Sequence, residues 1–488
     1  MDLAQIDGVG RELGVFLNEF DGCFGRREPR EHLRVYVAGQ VSDLERKSVE
    51  PIALAGGVPP RTLQAFLASA QWDEEHMVDE LQRLVARDHA HPKAIGVIDE
   101  TGNPKKGRHT AGVHRQWCGN TGKVDNCVVG VHLSYVVGDF QCLLDSDLFL
   151  PKEWADDPRR RAEVKVPDEV VFRTKPQIAL DQVRRALSNG IRVAAWTFDE
   201  LYGRGHDFQD GLSRLGQNYV AEVPSDFVGW LQAPRILRSP SPQDRRKRGR
   251  RRRYPRLARK ALPACRVDNL CKYSPVFQKQ KWQRFRIKDG EKGPVVWEVK
   301  WSRFYRKQGP DGLPGAAHTL IVARNVLDPD EVKSFVSNLL VGSEGVTLEW
   351  LLWIGFSRWP IERCFEVAKR ELGMDHFEVR SWGGIHRHLY ISQVSQLFCA
   401  RVHHRLREKN ARHLVPDGRT GPRSRLRLGQ SPWSWPDRPQ GDLPKGCRPD
   451  LLPSAPQPTS TCLEHEDGGE TSPQARHRGR PLAAMQTG

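Results

Sequence analysis

Four apolar runs too short to be helices constrain this chain more than any other feature: AIGVI at 94–98, CVVGVHLSYVV at 127–137, IRVAAWTF at 191–198 and NYVAEV at 218–223. Runs of this length and apolarity read as strands of a buried sheet. Between the second and third lies PQIALDQVRRALSNG, in which Ile178, Leu180, Val183 and Leu187 recur at helical spacing and Gly190 ends the helix. Early strands, a helix and then further strands predict an α/β domain built on a mixed sheet. At 488 residues the chain exceeds the roughly 250–300 at which a single core stops growing, so further domains are expected.

Helical periodicity in GRELGVFLNEF, EHLRVYVAGQVSDL and DEEHMVDELQRLV predicts an all-α N-terminal domain over residues 1–90. Within it, SVEPIALAGGVPPRTLQAFL sets a Gly-Gly turn and a Pro-started helix after a short helix. That order suits a helix-turn-helix DNA reader and a plain helical bundle equally. Residues 91–224 form the first part of the mixed-sheet core. Strand-like VVWEVKWSRFYR and HTLIVARNVL make 225–345 an inserted β-rich subdomain, and helices of the core return over 346–412. The segment 413–488 is expected to be disordered or aberrant, since 12 of the 34 prolines fall after residue 414 and apolar periodicity is lost.

Lys and Arg total 76 against 60 Asp and Glu, a net charge of +16, which suits either a polyanionic partner or merely basic tails. The charge peaks between Arg245 and Lys260, where 11 of 16 residues are basic, among them Arg245, Arg246, Lys247, Arg248, Arg250, Arg251, Arg252 and Arg253. Such density cannot be buried, leaving a solvated loop or a segment laid along phosphates. The ten cysteines are scattered without a CxxC pair, so neither a zinc ribbon nor a disulfide framework is indicated. No apolar run approaches the ~18 residues of a membrane span, and no export signal opens the chain; a cytoplasmic location is expected.

Asp99 directly follows AIGVI, and Asp199 directly follows IRVAAWTF. One Asp after a strand can be a turn or cap residue. Two, each at the carboxyl end of an apolar strand, suit ligand binding, because ligands of open α/β sheets bind at those ends. A third carboxylate lies in SRWPIERCFEVAKRELGMDHFEVRSW, where Pro360 suits a first helical turn and Ile361, Phe365, Ala368 and Leu372 form one apolar face. Glu362 and Lys369, two turns apart, project together on the neighbouring face, as they would also on an ordinary amphipathic surface helix.

These segments resemble the DDE transposases of bacterial insertion sequences, whose catalytic core is RNase H-like. The order VIDETG, FDELYG and RWPIERCFEVAKRELGMDHFEVRSW is similar to the insertion-sequence group numbered seven hundred and one, within the wider set marked by a Tyr-Arg-Glu-Lys signature. Arg358, Glu362 and Lys369 match the last three signature positions, and Gly355 stands where the Tyr would be. The resemblance implies an RNase H-like mixed-sheet core with a β-rich insertion. It implies that Asp99, Asp199 and Glu362 hold two Mg²⁺ or Mn²⁺ ions, that the partner is DNA of the element ends and target, and that a homodimer pairs the ends near the nucleoid. It further implies that Arg358 and Lys369 hold phosphates. In relatives that pass through a hairpin intermediate an aromatic residue of the insertion stacks on a flipped base; Trp297 is the candidate here, with a core position on a strand as its other reading. The rival functions are an RNase H-like nuclease that does not join strands and an idle remnant that only binds DNA.

Overall fold

Asp99 and Asp199 owe their positions to the sheet that forms around the strand Ile95–Pro104 (β1). The computed structural model describes residues 3–240, 253–290, 293–309, 311–343 and 345–413, so residues 241–252 of the basic segment and the tail from 414 lie outside the described residues. Five helices come first: Leu3–Asn18 (α1), Arg27–Val41 (α2), Val49–Ala55 (α3), Pro60–Ala68 (α4) and Glu74–Asp88 (α5). After β1 follow His114–Cys118 (β2), Lys123–Val137 (β3) and Phe140–Leu148 (β4), and then the short helices Lys152–Ala155 (α6) and Pro158–Glu163 (α7). Lys175–Ser188 (α8) opens with a reciprocal cap between Thr174 and Gln177. It leads to Ala195–Phe198 (β5), Glu200–Gly203 (α9), His206–Arg214 (α10) and Tyr219–Val223 (β6).

The core strands run in the order β4-β3-β1-β5-β6, with β1, β3 and β4 antiparallel in succession and β1, β5 and β6 parallel. An antiparallel meander joined to parallel strands through α8 is an RNase H-like arrangement, so the expected α/β class holds. IRVAAWTF contributes only its last four residues to β5, and two strands, β2 and β4, join those legible in the sequence.

The β-rich stretch does not stand apart from this sheet. It comprises Val228–Trp230 (β7), Ile236–Leu237 (β8), Arg256–Leu257 (β9), Cys265–Arg266 (β10), Val267–Tyr273 (α11), Pro275–Gln278 (α12), Gln283–Gly290 (β11), Gly293–Gln308 (β12), Leu313–Asn325 (β13) and Val332–Ser337 (β14). Strand β14 pairs with β6 from Ser334↔Val223 to Ser337↔Val220, so one sheet runs from the core through the insertion. Trp297 lies inside it, 4% exposed, its ring 5.0 Å from that of Phe356. This corrects the base-stacking expectation: an indole with its faces covered by the core has none to offer a base.

Three helices complete the fold: Leu348–Phe356 (α13), Trp359–Arg370 (α14) and Trp382–His413 (α15). The N-terminal helices bury their apolar faces against α15 and the core sheet in one cluster that includes Phe20, Tyr36, Ile52, Leu84, Tyr135, Ile391 and Phe398. Polar bonds lock the same contact: Tyr36 Oη lies 2.9 Å from His388 Nδ1, and Gln40 Nε2 donates to Ser392 Oγ at 2.8 Å. In the helix pair α3–α4, Leu63, Phe66 and Leu67 of the second helix face this core.

Strand β4 carries charge into the interior. Asp147 would be raised by burial, but His386 Nε2 at 3.0 Å and Arg173 at 2.7 Å hold it below the usual carboxylate range. Asp145, 2% exposed, has weaker support from Arg185 at 4.0 Å, and burial pushes it up to about 7. The folded chain therefore keeps this proton to near pH 7, whereas the unfolded chain releases it near 3.8, and stability falls as pH rises between those values. Asp145→Asn should raise the thermal midpoint at pH 8 by several degrees and leave it unchanged near pH 4. Melting curves across that range check this; an equal effect at both ends would mean that the carboxyl is not held protonated.

Candidate active site

Strands β1 and β5 are hydrogen-bonded neighbours in parallel, registered Ile95↔Ala195 to Ile98↔Phe198, so the next residue on each, Asp99 and Asp199, leaves the same edge of the sheet. Adjacent strands lie about 4.8 Å apart, which brings the two carboxylates into one field. Asp99 still belongs to β1; its Oδ1 accepts from the Glu100 amide at 2.8 Å. Asp199 also caps α9, accepting from Leu201 N at 3.0 Å, so the cap role open to such an Asp is real and coexists with its place at the strand end. Glu222 of β6 joins them from the next parallel strand.

A single guanidinium binds this group together. Arg358, just before the helical turn that carries Glu362, donates from a terminal nitrogen to Asp99 Oδ2 at 3.1 Å, and its Nε stands 3.8 Å from Glu222 Oε2. Lys333 Nζ holds the other oxygen of Glu222 at 2.8 Å. Burial pushes Asp99 up to about 7 despite Arg358, with Asp199 adding to the rise. Asp199 is also raised by burial, Arg358 opposing and Glu100 adding. Arg358 in turn has its proton held more tightly: burial works against the charge, but Asp99, Glu222, Asp199 and Glu362 outweigh it. Glu362 is exposed on the first turn of α14 and reaches the group through that shared field. Among the described residues no three His, Cys, Asp or Glu side chains are drawn together as ligands of one ion.

Helix α14 docks as its periodicity predicts: Ile361, Phe365, Ala368 and Leu372 are all buried. That face turns Lys369 toward β1, where Nζ donates to Thr101 Oγ1 at 2.5 Å; burial lowers its affinity for the proton. The carboxylate beside Asp99 is tied off on its own account. Glu100 receives Lys175 Nζ at 2.6 Å and Tyr202 Oη at 2.9 Å, which fixes the backbone that carries Asp99. Sequence reasoning missed Glu222, Glu100, Lys175 and Tyr202. A signal existed for Glu222, a lone carboxylate in NYVAEV at the end of an apolar strand like the two before it.

Gly355 is buried in α13, and a Cβ there would lie 3.1 Å from the Phe335 ring and 3.2 Å from Val220 Cγ1. A tyrosine has no room at that point. Of the basic run, Arg253 is described and exposed, while Arg245, Arg246, Lys247, Arg248, Arg250, Arg251 and Arg252 lie outside the described residues.

A family model described as DDE superfamily endonuclease matches residues 19–294. That span contains Asp99, Asp199 and Glu222 and ends before Arg358, Glu362 and Lys369. A protein of Microchaete diplosiphon described as a probable transposase for insertion sequence element IS701 is 33% identical over 190 residues, 38% of this chain and 47% of the relative. The chain thus spans about half the length of the curated relative it matches.

Proposed function

The chain belongs to the DDE superfamily endonucleases, and on that footing we propose that it is a transposase that cuts DNA at the ends of an insertion sequence and joins those ends to target DNA. The observation that carries this reading is the placement of Asp99 and Asp199 on the same edge of two adjacent parallel strands, both raised by burial and sharing Arg358 as counter-charge.

The donor set suits hard divalent cations. Its ligating atoms are carboxylate oxygens, and a carboxyl held near pH 7 by burial and a like-charged neighbour marks a site short of positive charge. Asp99, Asp199 and Glu362 would hold Mg²⁺ or Mn²⁺, and two such ions, when bound, would neutralise the phosphodiester and activate the attacking oxygen. The chain's own residues do the rest. Glu100, fixed by Lys175 and Tyr202, keeps β1 in register so that Asp99 does not swing away. Arg358, freed from Asp99, and Lys369, steered by Thr101, supply the cations that hold phosphates of the element end.

In this reading 91–224 and 346–412 make up the catalytic core around an insertion at 225–345, and two copies pair the element ends near the nucleoid. The spacing of Arg358, Glu362 and Lys369 supports kinship with the Tyr-Arg-Glu-Lys transposases; packing at Gly355 explains why the fourth member is missing here.

The test uses DNA flanking the reading frame. A duplex carrying one such end, pre-cut to expose its 3′-hydroxyl, is incubated with supercoiled plasmid and Mg²⁺ or Mn²⁺. Joined products are expected, and none with chelator. Cleavage without joining would instead support a plain nuclease, and DNA binding without either reaction a remnant.

A further inference from the structure

The register that aligns Asp99 with Asp199 continues onto β6. Phe198 pairs with Ala221, so the next residue on each strand sets Asp199 beside Glu222, and three carboxylates form one row across three adjacent parallel strands. They also share a face. Ile95 and Val97 of β1, Ala195 of β5 and Val220 of β6 pack in the same cluster as Leu351 of α13 and Ile361 of α14, and strand alternation carries Asp99, Asp199 and Glu222 to that side.

The members of the row differ in their counter-charges. Asp99 meets a terminal nitrogen of Arg358 through Oδ2 at 3.1 Å, while its Oδ1 accepts from the Glu100 amide. Glu222, 9% exposed, faces a cation with each oxygen: Lys333 Nζ lies 2.8 Å from Oε1 and Arg358 Nε 3.8 Å from Oε2. Lys333 belongs to β14, where Phe335 pairs with Glu222 and alternation puts Lys333 on the same face. Glu222 is therefore fixed from the insertion. The guanidinium in turn has two holds, a terminal nitrogen on Asp99 and Nε toward Glu222. A divalent ion held by Asp99 and Asp199 takes the first hold and repels the guanidinium. The second lies on the far side of the row and survives.

We propose that Glu222 is a positioning residue, which keeps Arg358 at the centre through Nε when an ion takes Asp99, so that the terminal nitrogens turn to a DNA phosphate. The proposal rests on the reading of the centre as an ion-holding, DNA-cleaving site. Its test reads binding and melting, with no cleavage step. Affinity of the full chain for a labelled duplex is measured in chelator and in Ca²⁺, a hard oxygen-seeking ion, at matched ionic strength, and thermal midpoints are measured without DNA. In Ca²⁺ Glu222→Gln should weaken binding about 10-fold, the lower end for a hydrogen bond to a charged group. In chelator, where Asp99 still holds Arg358, no loss is expected. Removing a negative charge would by itself tighten binding to DNA, so a loss confined to Ca²⁺ is not a general electrostatic effect. In an Arg358→Gln background Glu222→Gln should cost nothing further, because no guanidinium is left to hold. Glu222→Asp keeps the charge and should lose less than Gln in Ca²⁺ and nothing in chelator; it carries the comparison where Gln unfolds the chain. An equal loss in chelator and in Ca²⁺, or the same loss on top of Arg358→Gln, would show that the carboxylate only supports the fold and overturn the proposal. So would unchanged or tighter binding in Ca²⁺. The reading of the centre fails by a different sign: a wild-type midpoint that Ca²⁺ does not raise would remove the ion site, and the proposal with it.

Discussion

Asp99→Asn, Asp199→Asn and Glu362→Gln should each reduce DNA cleavage by more than about 10³-fold, the scale of losing a charge aimed at the reacting phosphate, while binding to element-end DNA changes only a few-fold. Each swap keeps side-chain shape and removes one negative charge, so it separates ligation from folding. The two aspartates should behave alike, since they share one sheet edge and one counter-charge. Glu362 is the sharper case, because it is exposed and joins the others only through the field of Arg358. Its variant should be as inactive as the others only if DNA and ions draw α14 into the centre. Cleavage and binding measured on the same preparations decide each residue: a variant that cuts at near the wild-type rate in Mg²⁺ leaves the set of ligands.

Arg358→Gln should lower folding stability in chelator by about 3 kcal/mol, the lower end of the range for breaking a buried ion pair, since Arg358 is not wholly enclosed. The variant strands Asp99 without its counter-charge and leaves Glu222 with Lys333 alone, so burial acts on Asp99 with its chief opposing cation gone. Divalent ions should restore part of the loss. Mg²⁺ ought to raise the thermal midpoint of the variant more than that of the wild-type chain, because the guanidinium no longer competes for the same oxygens. Thermal melts with chelator and with Mg²⁺ give four midpoints. Equal shifts for both proteins would mean that Arg358 pairs with these carboxylates without standing in the path of an ion.

Much of this centre was legible before any coordinates. β1, β5 and β6 announce themselves as apolar runs, and the periodicity of Ile361, Phe365, Ala368 and Leu372 orients α14 correctly. Strand β4 was not legible, because Asp145, Ser146 and Asp147 interrupt its apolar pattern and are tolerated only through partners such as His386, far along the chain. The link from Arg358 to Asp99 spans 259 residues and leaves no local trace. Trp297 shows the converse failure. The alternation in VVWEVKW indicates a strand but cannot say that the Trp297 face is covered, which here follows from α13 packing on it, with the Phe356 ring 5.0 Å from the indole.

The shared core of the first five helices and α15 sets a clock on synthesis. Phe20, Tyr36 and Ile52 find Ile391 and Phe398 only after roughly 340–380 further residues have left the ribosome, a wait of about 17–75 s at ordinary elongation rates. Throughout that interval the leading helices hold an uncovered apolar face in the cell. A nascent chain stalled before Trp382 should therefore recruit chaperones or proteases through its first ninety residues, and the amount of finished protein should respond to how quickly the last stretch of message is read.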